Sequence, residues 1–122
     1  MTIATFLTRR TLTAALFTAF LAAGPTTMAL ADNPYQAAVP ALEEAGGGKT
    51  CVECFLEKYG PAEFNKAFAV SKDGAYGGHW RKSYTMDQVR EKALQSCRKK
   101  PTYTPANPCV IFMENDQLVW KP

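Results

Sequence analysis

The stretch from Thr85 to Pro101 is the strongest constraint on the fold, because it carries every signal of an amphipathic helix and little that suits a strand. Thr85 followed by Gln88 three residues later makes a capping box, and Tyr84 with Val89 makes a hydrophobic staple. Asp87 sits in the electropositive first turn, and Arg98, Lys99 and Lys100 sit in the electronegative last turn. Met86, Val89, Ala93, Leu94 and Cys97 recur at the helical period on one face. The expected helix runs from Met86 to about Lys100, and Pro101 ends it.

A helix with one apolar stripe needs a partner surface, and β-type segments flank it on both sides. Lys66 to Ser71 reads as a strand, Lys72-Asp73-Gly74 as a turn, and Ala75 to Arg81 as the returning strand. Tyr76, Gly78 and Trp80 alternate onto one face of that strand. Gly77 and Gly78 mark a bulge or a close backbone approach. After the proline-rich connection Pro101 to Pro108 come Cys109 to Glu114 as a third strand, Asn115-Asp116 as a tight turn, and Gln117 to Lys121 as a fourth. Upstream, Cys51 to Gly60 reads as a short helix stopped by Gly60-Pro61. The expected class is α+β: a small antiparallel sheet of two hairpins, one long helix packed across it, and a short N-terminal helix.

The N-terminus bounds the compartment. Arg9 and Arg10 precede an uncharged apolar run, Thr11 to Ala23, a Gly24-Pro25 break, and Ala29-Leu30-Ala31 with small residues where a signal peptidase reads. This order is that of a secretory signal peptide covering residues 1–31, so the expected location is periplasmic or secreted. The segment Thr8 to Leu12 partly matches a twin-arginine signal, and the general secretory route is the preferred alternative. A retained anchor is the rival, but the strongly apolar part is short and broken, so no stable membrane span is expected after cleavage.

Removing 31 of 122 residues leaves a mature chain of 91, one domain at most. It keeps 12 of the 14 basic side chains against 11 acidic ones, so nothing points to nucleic acid as a bulk electrostatic partner. Residues 32–50 read as a flexible leader, mobile or loosely helical. They open with Asn33-Pro34, carry Pro40 in a short Ala/Leu/Glu segment, and end in Gly46-Gly47-Gly48. Residues 51–122 are the expected stapled domain.

From Phe68 to Trp120 the chain resembles a group of small exported bacterial proteins with an uncharacterised domain. The residues that carry the likeness are Phe68-Ala69-Val70-Ser71, Lys72-Asp73-Gly74, Tyr76-Gly77-Gly78, the helix ending Ala93-Leu94-Gln95-Ser96-Cys97, and Cys109 opening the next strand. The resemblance implies an α+β fold with Cys97 bonded to Cys109, and no established activity. Some members are labelled 5-aminolevulinate synthase. A mature chain this short cannot bury pyridoxal phosphate and hold its Schiff-base lysine, so no such activity and no cofactor are expected.

Four cysteines, all beyond residue 31, suit two disulfides in an oxidising compartment. Cys97 on the apolar helix face and Cys109 at the start of a strand that helix should cover are the safest pair. Cys51 and Cys54 leave three readings open: a second structural bridge, a redox dithiol with a thiol pKa lowered at a helix start, or a metal site. No second Cys-x-x-Cys or paired histidine supports zinc, and Phe55 stands where haem attachment needs a histidine. No metal is therefore expected.

His79 is the single histidine, conceivable as a base or as a copper ligand beside Met86 or Met113, and more simply a filler. Tyr76, His79, Trp80 and Arg81 form an aromatic and basic cluster that could bind a glycan, an anion or a partner protein. The plainer reading packs Tyr76 and Trp80 beneath the long helix. Trp120 reads as core. No catalytic set and no phosphate-binding glycine loop assembles. The leading expectation is a non-enzymatic exported module that binds an unknown envelope protein or ligand. One version is an inhibitor that uses Lys72 to Ala75 or Pro101 to Pro108 as an inserting loop. The alternative is a small redox or metal-handling protein built on Cys51 and Cys54.

Overall fold

The computed structural model describes residues 33–122. The expected signal peptide, its cleavage site and Asp32 lie outside them. Along the described chain come α1 (Pro34–Glu44), α2 (Lys49–Cys54) continuing as a π-helical turn (Phe55–Tyr59), β1 (Lys66–Val70), β2 (Tyr76–Trp80), α3 (Met86–Arg98), β3 (Val110–Glu114) and β4 (Gln117–Leu118). The strands form one antiparallel sheet in the order β2-β1-β3-β4. The α+β architecture, both hairpins and the long helix across one face are as the sequence predicts. Among the described residues no helix is long and apolar enough to cross a membrane.

The capping box forms as read: the Gln88 amide N–H donates to Thr85 Oγ1 at 3.2 Å, and the Thr85 amide N–H donates to Gln88 Oε1 at 2.8 Å. Val89, Ala93 and Cys97 on α3 are buried against Ala67, Ala69 and Ala75. Alanines and a glycine let this helix approach the sheet closely. A Cβ on Gly77 would lie 2.5 Å from the Cys97 backbone nitrogen and 2.6 Å from Ser96 Cβ. Gly77 therefore marks a close approach of helix to strand. Cys97 and Cys109 are disulfide-bonded and close this layer. The Arg90 guanidinium adds a two-pronged contact from α3 to Glu114 on β3, at 2.6 and 3.3 Å.

The opposite face is built from rings. Phe68, Val70, Phe112 and Met113 from the sheet pack against Leu42 of α1, Cys51 of α2, and Phe55 and Tyr59 of the π turn. Phe55 lies at the centre, stacked on Tyr59 at 5.5 Å and edge-on to Phe68 at 5.2 Å and Phe112 at 5.7 Å. β1 is buried from end to end because it alternates between two covered faces. Trp120 is half-buried and lies beside Phe112 at 6.3 Å, at the rim of the core.

Three expectations need correction. The stretch 32–50, read as a mobile or loosely helical leader, supplies a layer of the fold: residues 34–44 are helix, as one alternative allowed, but Ala38 and Leu42, four residues apart, are buried in the ring-built core. Tyr76 and Trp80 do not lie beneath the long helix. Their face of β2 looks toward α2 and the π turn, with Trp80 at 6.4 Å from Tyr59, while Gly77 meets α3. Cys51 and Cys54 form no second bridge: both are free, Cys51 buried in the core and Cys54 half-exposed at its edge.

Candidate functional site

Three loops converge at one end of the sheet. Gly46 joins α1 to α2 with φ +121°, and a Cβ there would fall 2.3 Å from the Ser71 carbonyl oxygen. Only glycine lets this joint sit against the backbone where β1 ends. The β1–β2 turn follows, with Gly74 at φ +92°. Its Asp73 carboxylate accepts hydrogen bonds from Thr104 Oγ1 and, at 3.0 Å, from Asn107 Nδ2. The two loops named as inserting candidates, Lys72 to Ala75 and Pro101 to Pro108, are thus tied to each other.

Between these loops lies a cleft of about 470 Å³, lined by Lys49, Thr50, Cys51, Lys72, Asp73, Tyr76 and Lys100 together with Gly46, Gly48, Gly74, Pro101 and Thr102. Lys100 lies 4.2 Å from the centroid of the Tyr76 ring, a cation–π contact that holds the ammonium at the cleft wall. A recess of about 330 Å³ shares Thr50, Tyr76 and Lys100 and is completed by Glu53, Cys54, Glu57 and Lys58. Three lysines face one carboxylate, Asp73, so the larger cleft is net positive. Burial pushes the Tyr76 hydroxyl above its ordinary pKa, with Cys54, Cys51 and Glu53 adding to the rise, so the phenol stays neutral and can donate or accept.

The thiols beside this cleft are not activated. Burial pushes Cys51 up to about 12, with Cys54 adding to the rise and Lys100 opposing it. Burial also raises Cys54, although Lys58 and Lys100 pull the other way. A redox dithiol of the lowered-pKa kind needs the opposite arrangement. Among the described residues, no three or more of His, Cys, Asp and Glu come together as metal ligands.

The cluster of Tyr76, His79, Trp80 and Arg81 is divided by the strand. Tyr76 lines the cleft at one end of β2, and Trp80 closes the other end over Gly78. His79 is on the opposite face, its ring stacked on Tyr84 at 5.6 Å and its buried Nε2 without a hydrogen-bond partner. Burial, then Lys92 and Arg81, lower the His79 pKa, which keeps the ring neutral at pH 7. Arg81 lies over Tyr84 at 5.0 Å.

Lys66 escaped the sequence reading. It is buried, and its Nζ donates to the carbonyl oxygens of Tyr59 at 2.8 Å and Gly60 at 2.9 Å. The rings of Tyr35 and Tyr59 lie 4.4 and 4.7 Å from that nitrogen. The ammonium therefore satisfies carbonyls at the C-terminal end of the π turn, where a cation is favoured. Burial lowers its pKa, and Asp116 partly opposes this. Nothing in the sequence signals the role, because the partners are backbone atoms and rings brought there by the fold. Lys49, Lys72 and Lys100 were missed as a group for a related reason: they come from α2, a turn and the end of α3.

No protein-family model, no curated protein and no solved structure matches the chain.

Proposed function

We propose that the protein is an exported, non-enzymatic binding module of the cell envelope, and that it receives an anionic group of its ligand or partner in the cleft lined by Tyr76 and Lys100. The observation that carries this reading is the convergence of Lys49, Lys72 and Lys100 around one concave site walled by a neutral tyrosine. Glycine backbone at Gly46, Gly48 and Gly74 leaves room for close approach. Cross-tying of the two loops through Asp73 favours a preorganised surface, which lowers the ordering cost of binding. Export rests on the arrangement of residues 1–31, and a disulfide in a small domain accords with it. Burial of Cys51 and the raised pKa of both free thiols favour packing over redox chemistry for that pair.

The test is capture from envelope extract by the wild-type protein and by a Lys72→Glu, Lys100→Glu variant. The expected outcome is loss of the captured species with the variant, since reversing charges at a complementary site introduces like-charge repulsion. An unchanged set of captured species would remove the cleft as the binding site.

A further inference from the structure

The two edges of the sheet are finished differently. On the β4 side the edge strand has only two residues, after which the chain turns inward: the Val119 and Trp120 amides both donate to the Phe112 carbonyl. A short edge of this kind is blunted against pairing with another chain. The β2 edge is five residues long and pairs with β1 in unbroken register. It holds no proline and no lysine, arginine or carboxylate within Tyr76–Trp80. Within the strand itself, neither a proline nor a charged side chain blunts the edge.

The direction of its backbone groups follows from the register. The Arg81 amide donates to the Asn65 carbonyl, and the Ser71 amide donates to the Ala75 carbonyl. Hydrogen-bonded pairs in an antiparallel ladder recur at every second residue, so Gly77 and His79 direct their N–H and C=O groups toward β1. Tyr76, Gly78 and Trp80 therefore direct theirs outward. Among the described residues, no hydrogen bond is recorded to those outer groups. Gly78 brings no side chain to block access, and it is partly exposed.

The flanks of this edge are predominantly basic. Lys100 lies over Tyr76, and Lys58 lies in the adjoining recess. On the α3 side Lys92 and Arg81, both exposed, act on His79. The opposing acids are Glu53 and Glu57 in the recess, while Glu63 is engaged by Lys82 at 3.4 Å. Antiparallel pairing of two copies would set the Tyr76 end of one, with Lys100, against the Trp80 end of the other, with Arg81, so cation faces cation and self-association is disfavoured. An incoming strand with carboxylates would meet complementary charge.

We propose that the outer edge of β2 is a strand-addition site, where an extended acidic segment of a partner protein pairs with Tyr76, Gly78 and Trp80 as a fifth strand. This deepens the binding-module reading and rests on it: the added strand runs past Tyr76 into the lysine-lined cleft. Main-chain hydrogen bonds supply the affinity, and the flanking cations select the side chains.

The test is backbone amide exchange and chemical shift, followed by NMR on the purified protein. The probe is a synthetic peptide of alternating glutamate and valine, and its control alternates lysine and valine. The expected result is slowed exchange at the Tyr76, Gly78 and Trp80 amides with the glutamate peptide and none with the lysine peptide. An Arg81→Glu, Lys92→Glu variant should bind the glutamate peptide about tenfold more weakly or worse. Free exchange at the three amides under saturating glutamate peptide overturns the proposal, as does equal protection by both peptides. Protection that grows with protein concentration alone assigns the edge to a second copy and also overturns it. Shifts at Lys72 and Lys100 without edge protection would leave the cleft reading standing and remove strand addition. No shift anywhere would remove both. The wild-type measurements decide the matter even if the double variant does not fold.

Discussion

The two faces of the sheet solve the same burial problem by opposite means. On the α3 face small side chains bring helix and strand together, and a disulfide fixes the contact. On the other face large rings span a wider gap to a short, irregular helical segment, and no covalent bond is made there although two cysteines are present. A single strand serves both: Ala67 and Ala69 of β1 face the helix, while Phe68 and Val70 face the rings. The difference teaches that a small domain can place its covalent staple on the face with least apolar volume and leave the voluminous face to packing. The staple and the rings are then separable contributors to stability.

The largest effect should come from the ring face. Phe55 is fully buried and packs against four other rings, so Phe55→Ala should cost about 3–5 kcal/mol. For a domain of this size that approaches the whole stability. Urea unfolding followed by far-UV circular dichroism would measure it, and a loss below about 1 kcal/mol would show that the rings are replaceable. A second, somewhat smaller effect belongs to the α3 face. Replacing Cys97 and Cys109 by alanine opens a loop of 12 residues' separation and should cost about 3 kcal/mol, with the fold retained at low temperature. Complete unfolding of that variant at low temperature would make the staple indispensable and erase the contrast.

The smallest effect is an alkaline pH dependence of the ring face. Cys51 ionises near 9.0 when exposed and at about 12 in the fold. Between those values the unfolded chain has released a proton that the folded chain keeps, so raising the pH favours unfolding. The raised pKa of Tyr59 and Tyr35 acts in the same direction at higher pH, and the lowered pKa of Lys66 acts against it. Comparison with Cys51→Ala isolates the thiol. Its stability should fall less steeply than wild type between pH 9 and 12, and identical slopes would mean that Cys51 is not shielded by the core.

How much of this was legible in the sequence differs between the faces for physical reasons. The α3 face is written in local signals: Thr85 and Gln88 cap a helix, and Val89, Ala93 and Cys97 mark its stripe. The Gly77-Gly78 pair signalled a bulge or a close approach, and only the fold shows that Gly77 makes the approach, to α3. The ring face depends on contacts between distant segments. Pro40 and the Gly46–Gly48 run made residues 32–50 look like a tether, and the burial of Ala38 and Leu42 outweighed them. The amide-rich cage that accepts Lys66 is made of carbonyls, which carry no sequence signature. The Cys-x-x-Cys spacing suggested a bond, yet it does not say that Cys51 turns into the core while Cys54 stays at the edge. The cleft was half legible: Tyr76 was named, but its lysines come from three separate elements.

Non-reducing peptide mapping of the purified protein, with free thiols alkylated before and after unfolding, tests the division between the faces most directly. The account predicts one bridge, Cys97 to Cys109, with Cys51 blocked only after unfolding and Cys54 more readily. A bridge that includes Cys51 or Cys54 would contradict it, because the ring face would then be covalently held as well.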